Sequence, residues 1–306
     1  MATTTVTRPA ESRSGAAPAG RDRARSPYPT WFYLPAAVIY GVLFIVPTLI
    51  AFYFSLTRWS IFDSKFIGFG NYVTFFREPA LVTSLWHTLI YAVVTSGLKV
   101  VLGLLLAVLL TSQIVARGYL RSVVFFPVLV STIGVGLTFT VLMNPEKGLI
   151  NQSLAAIGIQ GPGWLTDPSY ALLSVALVDV WKGVGLATLI YIAGIVSIPP
   201  EYFEAARVDG AGAWENFRHL VLPLARPATV TVITLSLIGG LRSFDLIWAM
   251  TRGGPGFTSD VIASVIYKQY QAGFFGLSTA GSVVLFVLVT VIVVPLTWWL
   301  NRGETA

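Results

Sequence analysis

SLWHTLIYAVVTSGLKVVLGLLLAVLL, residues 84–110, carries one formally charged side chain, Lys99. A run this long and this apolar meets the roughly 20 residues that a helix needs to cross a hydrocarbon core. Five similar runs surround it: Trp31–Leu56, Arg121–Met143, Tyr170–Ile195, Ala228–Met250 and Ser278–Leu300. Together they predict an all-α polytopic membrane protein with six transmembrane helices. Composition points the same way: 55% of residues are hydrophobic and 11% charged, with a mean hydropathy of +0.75. Soluble domains carry roughly 25% charged residues. The alternating apolar and polar strands of a membrane barrel are absent from the sequence.

The segments between the runs, 57–83, 111–120, 144–169, 196–227 and 251–277, are rich in Pro, Gly and charge. Residues 1–29 are Ala, Ser, Pro, Thr and Arg without apolar periodicity, which predicts a disordered tail. The run from Trp31 is too long for a signal-peptide core and follows Arg21, Arg23 and Arg25, so it reads as an uncleaved first span. With the N-terminus inside, the cytoplasmic side collects Arg8, Arg13, Arg21, Arg23, Arg25, Arg117, Arg121, Arg207, Arg218, Arg226 and Arg302. The outer side has only Arg58, Lys65, Arg77, Lys147, Arg252 and Lys268. This bias predicts both termini in the cytoplasm, a permease domain over 30–301 and a short cytoplasmic tail over 302–306. The net charge of +6 therefore reflects orientation and gives no sign of nucleic-acid binding. Tryptophans 31, 59, 164, 248, 298 and 299 fall near span ends, as an aromatic belt does.

Zero cysteines exclude disulfides and thiolate chemistry. His87 and His219 stand alone, which predicts no metal site and no catalytic constellation. No Gly-x-x-x-x-Gly-Lys-Ser/Thr phosphate loop occurs, so any ATP or Mg would be bound by another polypeptide. Asn151-Gln152-Ser153 fits a glycosylation triplet, a pattern common by chance.

A polar module interrupts the apolar pattern at 197–227. Pro199 and Pro200 stop the fourth span. Glu201–Val208 carries helix formers with acids in the first turn, where the helix dipole favours them. Asp209-Gly210 is a turn dipeptide, and Trp214, Phe217 and Val221 form the stripe of a second helix closed by Pro223 and Pro227. Ala205, Ala206, Ala211 and Ala213 leave room for another surface to approach. Two readings follow from the residues alone: a hairpin lying on lipid headgroups, or a docking element for a partner in water.

The order Glu204-Ala205-Ala206, Asp209-Gly210-Ala211, Phe217, Leu220, Leu222, Pro223 and Pro227 resembles the cytoplasmic loop of bacterial ABC importer permeases, in its carbohydrate branch. Gly68-Phe69-Gly70-Asn71-Tyr72, Gly103, Ala107, Arg121, Pro127, Gly148-Leu149-Ile150-Asn151, Trp164-Leu165 and Phe244-Asp245-Leu246-Ile247 extend the similarity over roughly residues 30–300. Thr251-Arg252-Gly253-Gly254-Pro255 looks like the MalF-like member of a permease pair, although MalF itself has extra N-terminal spans and a large outer insert. The resemblance implies a type I ABC importer permease fold in the bacterial inner membrane. It also implies a second homologous permease, two copies of a cytoplasmic ATPase and an extracytoplasmic solute-binding protein as partners. Glu204, Ala205, Ala206, Asp209, Gly210, Ala211 and Phe217 would then couple ATPase closure to alternating access, with a sugar or oligosaccharide as cargo.

Lys99, Asp179 with Lys182, and Arg242 with Asp245 lie within the spans and are expensive in lipid, so each should face a cavity or a partner. The two i,i+3 pairs would each share a helix face and form an ion pair. With Trp248 as the stacking surface, and Trp181 as a weaker one, they are candidates for the solute pathway. A structural role, pinning span to span, competes with that reading. A proton-coupled carrier using Asp179 and Asp245 is the alternative mechanism.

Overall fold

The computed structural model describes residues 30–60 and 62–302. The tail over 1–29, with its arginines, and residues 303–306 lie outside them. The chain divides into two units, Met1–Leu49 and Ile50–Ala306. Helix α1, Trp31–Ser55, is the described part of the first unit, and its last turn belongs to the second. Pro47 has no N–H to offer the carbonyl of Leu43, and the helix widens to a π turn over Gly41–Ile45 just before it. The same happens further along the chain, where a π turn at Phe217–Val221 precedes Pro223.

In the second unit a short ribbon pairs β1 (Thr57–Trp59) antiparallel with β2 (Ser64–Phe66), Arg58 opposite Lys65. Then follow α2 (Gly70–Arg77), α3 (Pro79–Thr111), α4 (Arg117–Leu129), α5 (Thr132–Leu142), α6 (Leu149–Ala156) and α7 (Ala171–Val196). The module beyond α7 folds as α8 (Pro200–Val208) and α9 (Ala213–Leu224). The rest is α10 (Arg226–Leu241), α11 (Asp245–Met250), α12 (Ile262–Gln271) and α13 (Phe275–Asn301).

Four helices, α1, α3, α7 and α13, are each long and apolar enough to cross a membrane, and six spans result if each bent pair counts as one. Two expected spans are not straight. The third breaks at Val130–Ser131, where both residues turn extended and α4 meets α5 at 97°. The fifth pairs α9 with α10 at 66°, and α10 by itself is 16 residues, about 24 Å long and shorter than a hydrocarbon core. The chain breaks again at Arg242–Phe244 before α11. The first break falls at Val130–Ser131 inside a largely apolar run, whereas the second coincides with the polar Arg242, Ser243 and Asp245.

Lipid tails offer no hydrophobic drive between helices, so close backbone approach does the packing. A Cβ added to Gly103 of α3 would stand 2.8 Å from that of Ala187 on α7, and one on Gly240 of α10 would stand 2.7 Å from the Ala92 Cα of α3. Around these crossings Tyr91, Val175, Val178, Leu246 and Ile247 form one core, and Leu110, Tyr191, Ile195, Val221 and Val232 a second. Thr111, Val196 and Pro200 line one cavity, so α3 and α7 finish at the same face as α8. Pro79, 33 helical residues away, lies about 50 Å distant at the other end.

Candidate coupling module and transmembrane polar site

The 200–224 module is built from its prolines and its turn. Pro200 opens α8 at the position where a missing N–H does no harm, and Glu201 sits in its first turn. Gly210 adopts φ +80°. With that left-handed residue in place, the Ala211 N–H donates to the Ala206 carbonyl at 2.8 Å and the Gly210 N–H to the Arg207 carbonyl at 3.1 Å. This is a Schellman cap, and it turns the chain into α9. There the Gly212 N–H donates to the Glu215 carboxylate at 2.7 Å, satisfying one open donor of the helix start.

Phe203 and Phe217 pack the module against the core of Leu110, Ile195 and Val221, beside a cavity of about 660 Å³ that Arg207 and Asn216 also line. The other face is bare. Glu204, Ala205, Asp209 and Gly210 are exposed, whereas Ala206 and Ala211 are half-buried. Of the expected stripe, Phe217 and Val221 point inward, but Trp214 is 68% exposed with its ring 5.5 Å from that of Phe217. Val208, at 88%, and Tyr202 are exposed as well. Trp214, expected on the buried stripe, turns outward instead, while the outward Tyr202 and Val208 escaped the sequence reading. Large apolar groups on the outward face of a polar module were the available signal.

The intramembrane charges pair differently from expectation. Asp179 bonds Lys99 at 2.9 Å, from α7 to α3, with side chains 22% and 9% exposed. Lys182, a turn further along α7, makes no ion pair among the described residues. Gly183 explains the choice, because a Cβ there would come within 2.6 Å of Lys99 Cε. Its missing side chain is the channel through which Lys99 reaches Asp179. Arg242 and Asp245 are exposed and also unpaired among the described residues, because the break at 242–244 removes the shared helix face. The buried Tyr91 hydroxyl faces Asp179 and Ser243 without reaching hydrogen-bond geometry to either. Tyr91 and Ser243 thus join the polar site, and nothing in their local sequence marks them. Trp248 stacks on Phe244 at 5.7 Å and meets Tyr267 edge-on at 4.8 Å, so one side of its ring is occupied. Trp181 leans on Phe139 at 5.2 Å.

At the far end, the Thr251–Pro255 segment closes around Asp260, which is 1% exposed. Asp260 accepts from Ser264 Oγ at 2.7 Å and from Lys268 Nζ at 2.6 Å, and Gly253 lies so close that any Cβ would collide with its carboxylate. His87 is structural there, with Nδ1 3.0 Å from the Asp260 carbonyl, while His219 is exposed. Asn151 is committed too: its amide donates to the carbonyls of Pro145 and Pro162, and its oxygen accepts from Trp164 Nε1 at 2.7 Å. That use leaves the glycosylation triplet no free amide.

Residues 99–302 match the family described as binding-protein-dependent transport system inner membrane component. The chain belongs to this family. A probable ABC transporter permease protein of Sinorhizobium fredii is 36% identical over 293 residues, covering 93% of this chain and 94% of that one. The trehalose/maltose transport system permease protein MalF of Thermococcus litoralis is 34% identical, over 84% of this chain and 88% of its own. Among solved structures, a chain of a bacterial ABC transporter that imports the acidic polysaccharide alginate superposes with a TM-score of 0.77 at 25% identity, covering 89% of this chain and 94% of that one. The chain is thus a multi-pass membrane permease subunit with the type I ABC importer fold.

Proposed function

We propose that this permease carries a sugar or oligosaccharide inward, driven by a separate ATPase that docks on α8. The observation that carries the coupling role is the geometry of the module: Phe203 and Phe217 anchor it to the spans, while Glu204, Ala205, Asp209 and Gly210 are presented outward beside Tyr202, Val208 and Trp214. A rigid plug fastened to α7 and α10 transmits a push on α8 directly to the helices that hold the polar site. ATP and Mg belong to the two ATPase copies. A second permease completes the pathway, and an extracytoplasmic binding protein delivers the solute. The cargo class is supported by relatives named for trehalose/maltose and alginate transport. In this arrangement 30–301 is the permease domain, both termini are cytoplasmic, and the membrane is the bacterial cell membrane.

The Lys99–Asp179 pair, with Tyr91 and Ser243 beside it, lies where α3, α7 and the 242–244 break meet. The exposed Arg242 and Asp245 flank the Phe244–Trp248 stack nearby in the chain. Hydroxyl-rich cargo needs such donors and acceptors beside an aromatic ring, and we assign the solute pathway to this region. Lys182, a turn along α7 from Asp179, makes no ion pair among the described residues.

Energy source is the decisive test. In cells expressing the complete system, uptake of the labelled sugar is expected to stop with vanadate and to survive a protonophore. Uptake that instead collapses with the protonophore would support a proton-coupled carrier working through Asp179 and Asp245.

A further inference from the structure

At the end opposite α8, a cavity of about 650 Å³ opens between β1, α2, α12 and the start of α13. Its walls are unlike each other. Its lining combines the charged Arg58 and Glu78, the polar Asn71, Thr74 and Gln269, and the apolar Trp59, Ile67, Leu81, Phe274 and Leu277. Neither Arg58 nor Glu78 makes an ion pair among the described residues. Arg58 also sits directly opposite Lys65 in the ribbon, Lys65 itself lying outside the cavity lining. Like charges facing across a ladder destabilise it, and an anion held between them relieves that repulsion.

The surroundings fix the depth. The ribbon follows α1 directly, and Phe69, Val73 and Phe76, spaced four and three apart, form an exposed apolar face on α2. An amphipathic helix beside a span end lies at the boundary of headgroups and acyl chains. We propose that this cavity binds the headgroup of a zwitterionic aminophospholipid. The phosphate sits on Arg58 and Lys65, the ammonium on Glu78, and the acyl chains run over the apolar lining toward the bilayer. Charge complementarity at both ends favours this occupant over a purely anionic lipid, which leaves Glu78 opposed by like charge.

Native mass spectrometry of the full-length protein in detergent tests it, with phosphatidylethanolamine, phosphatidylcholine and phosphatidylglycerol of identical acyl chains as probes. One charge-assisted hydrogen bond corresponds to about a tenfold change in retention. Phosphatidylethanolamine is expected to be retained about tenfold over phosphatidylcholine, whose methylated nitrogen cannot donate to Glu78. Glu78→Gln should bring the two lipids level. Arg58→Gln with Lys65→Gln should weaken both by a further tenfold or so. All three residues are exposed, so the variants leave the packed helices intact. Equal retention of the two zwitterionic lipids by the wild type overturns the proposal. So does a preference for phosphatidylglycerol that Glu78→Gln leaves unchanged. Displacement of the lipid by glycerophosphoethanolamine at equal concentration would make the ligand a soluble phosphoamine and also overturn it.

Discussion

Gly210→Pro is expected to abolish solute-stimulated ATP hydrolysis in the reconstituted importer while the permease still assembles. Gly210 sits at φ +80°, and proline is locked near −65°. The substitution also deletes the N–H that donates to the Arg207 carbonyl, so the Schellman cap opens. The penalty is roughly 3 kcal/mol, confined to a turn whose space is otherwise open, with no atom within 4 Å of an added Cβ. Helices α3, α7 and α10 therefore stay packed, and α8 loses its direction. Glu204→Ala asks the same question without touching the backbone. Glu204 is exposed and makes no hydrogen bond among the described residues, so its loss leaves the fold alone. A carboxylate that bonds a partner is worth about 1.5–3 kcal/mol, or roughly a ten- to hundredfold drop in coupled turnover. Wild-type transport by both variants would remove α8 from the drive mechanism.

The second large effect belongs to the intramembrane ion pair. Removing one partner of a buried pair strands the other charge, which destabilises by about 3–5 kcal/mol. The Asp179 side chain retains 22% exposure, so Lys99→Ala and Asp179→Ala should fall near the lower end. Lys99→Met combined with Asp179→Leu replaces both charges by apolar groups of similar size and should recover most of the loss. Thermal unfolding of the purified protein in detergent measures all three. Additive losses in the double variant would contradict direct pairing. The same variants separate the two roles of the site: a restored fold with lost sugar uptake assigns the pair to the solute pathway, and restored uptake assigns it to span pinning. Gly183→Ala should resemble the single variants, since the new methyl displaces the Lys99 stem.

Much of this architecture is legible in the chain. Runs of apolar residues set α3, α7 and α13 to within a few positions, because the bilayer demands one length of helix wherever it is crossed. Pro199, Pro200 and Asp209-Gly210 foretell α8 and its turn, since each acts through its own backbone. The breaks at Val130–Ser131 and Arg242–Phe244 leave no such mark. They are set by how α5 and α11 pack, with Gly136 pressed against Ala249. The partner of Asp179 was hidden for a related reason: i,i+3 spacing sees only one helix, and Lys99 arrives from another. Tyr91 and Ser243 likewise come together only through tertiary contact.

The central claim is that the outward face of α8 meets an ATPase. The chain contains no cysteine, so Ala205→Cys introduces a single reactive thiol on that face. In the assembled importer, a thiol-directed photo-crosslinker on this residue is expected to capture the ATPase subunit and to lose that product when the ATPase is omitted. A thiol that stays fully open to a water-soluble maleimide in the complete complex, with no ATPase adduct, would contradict the account.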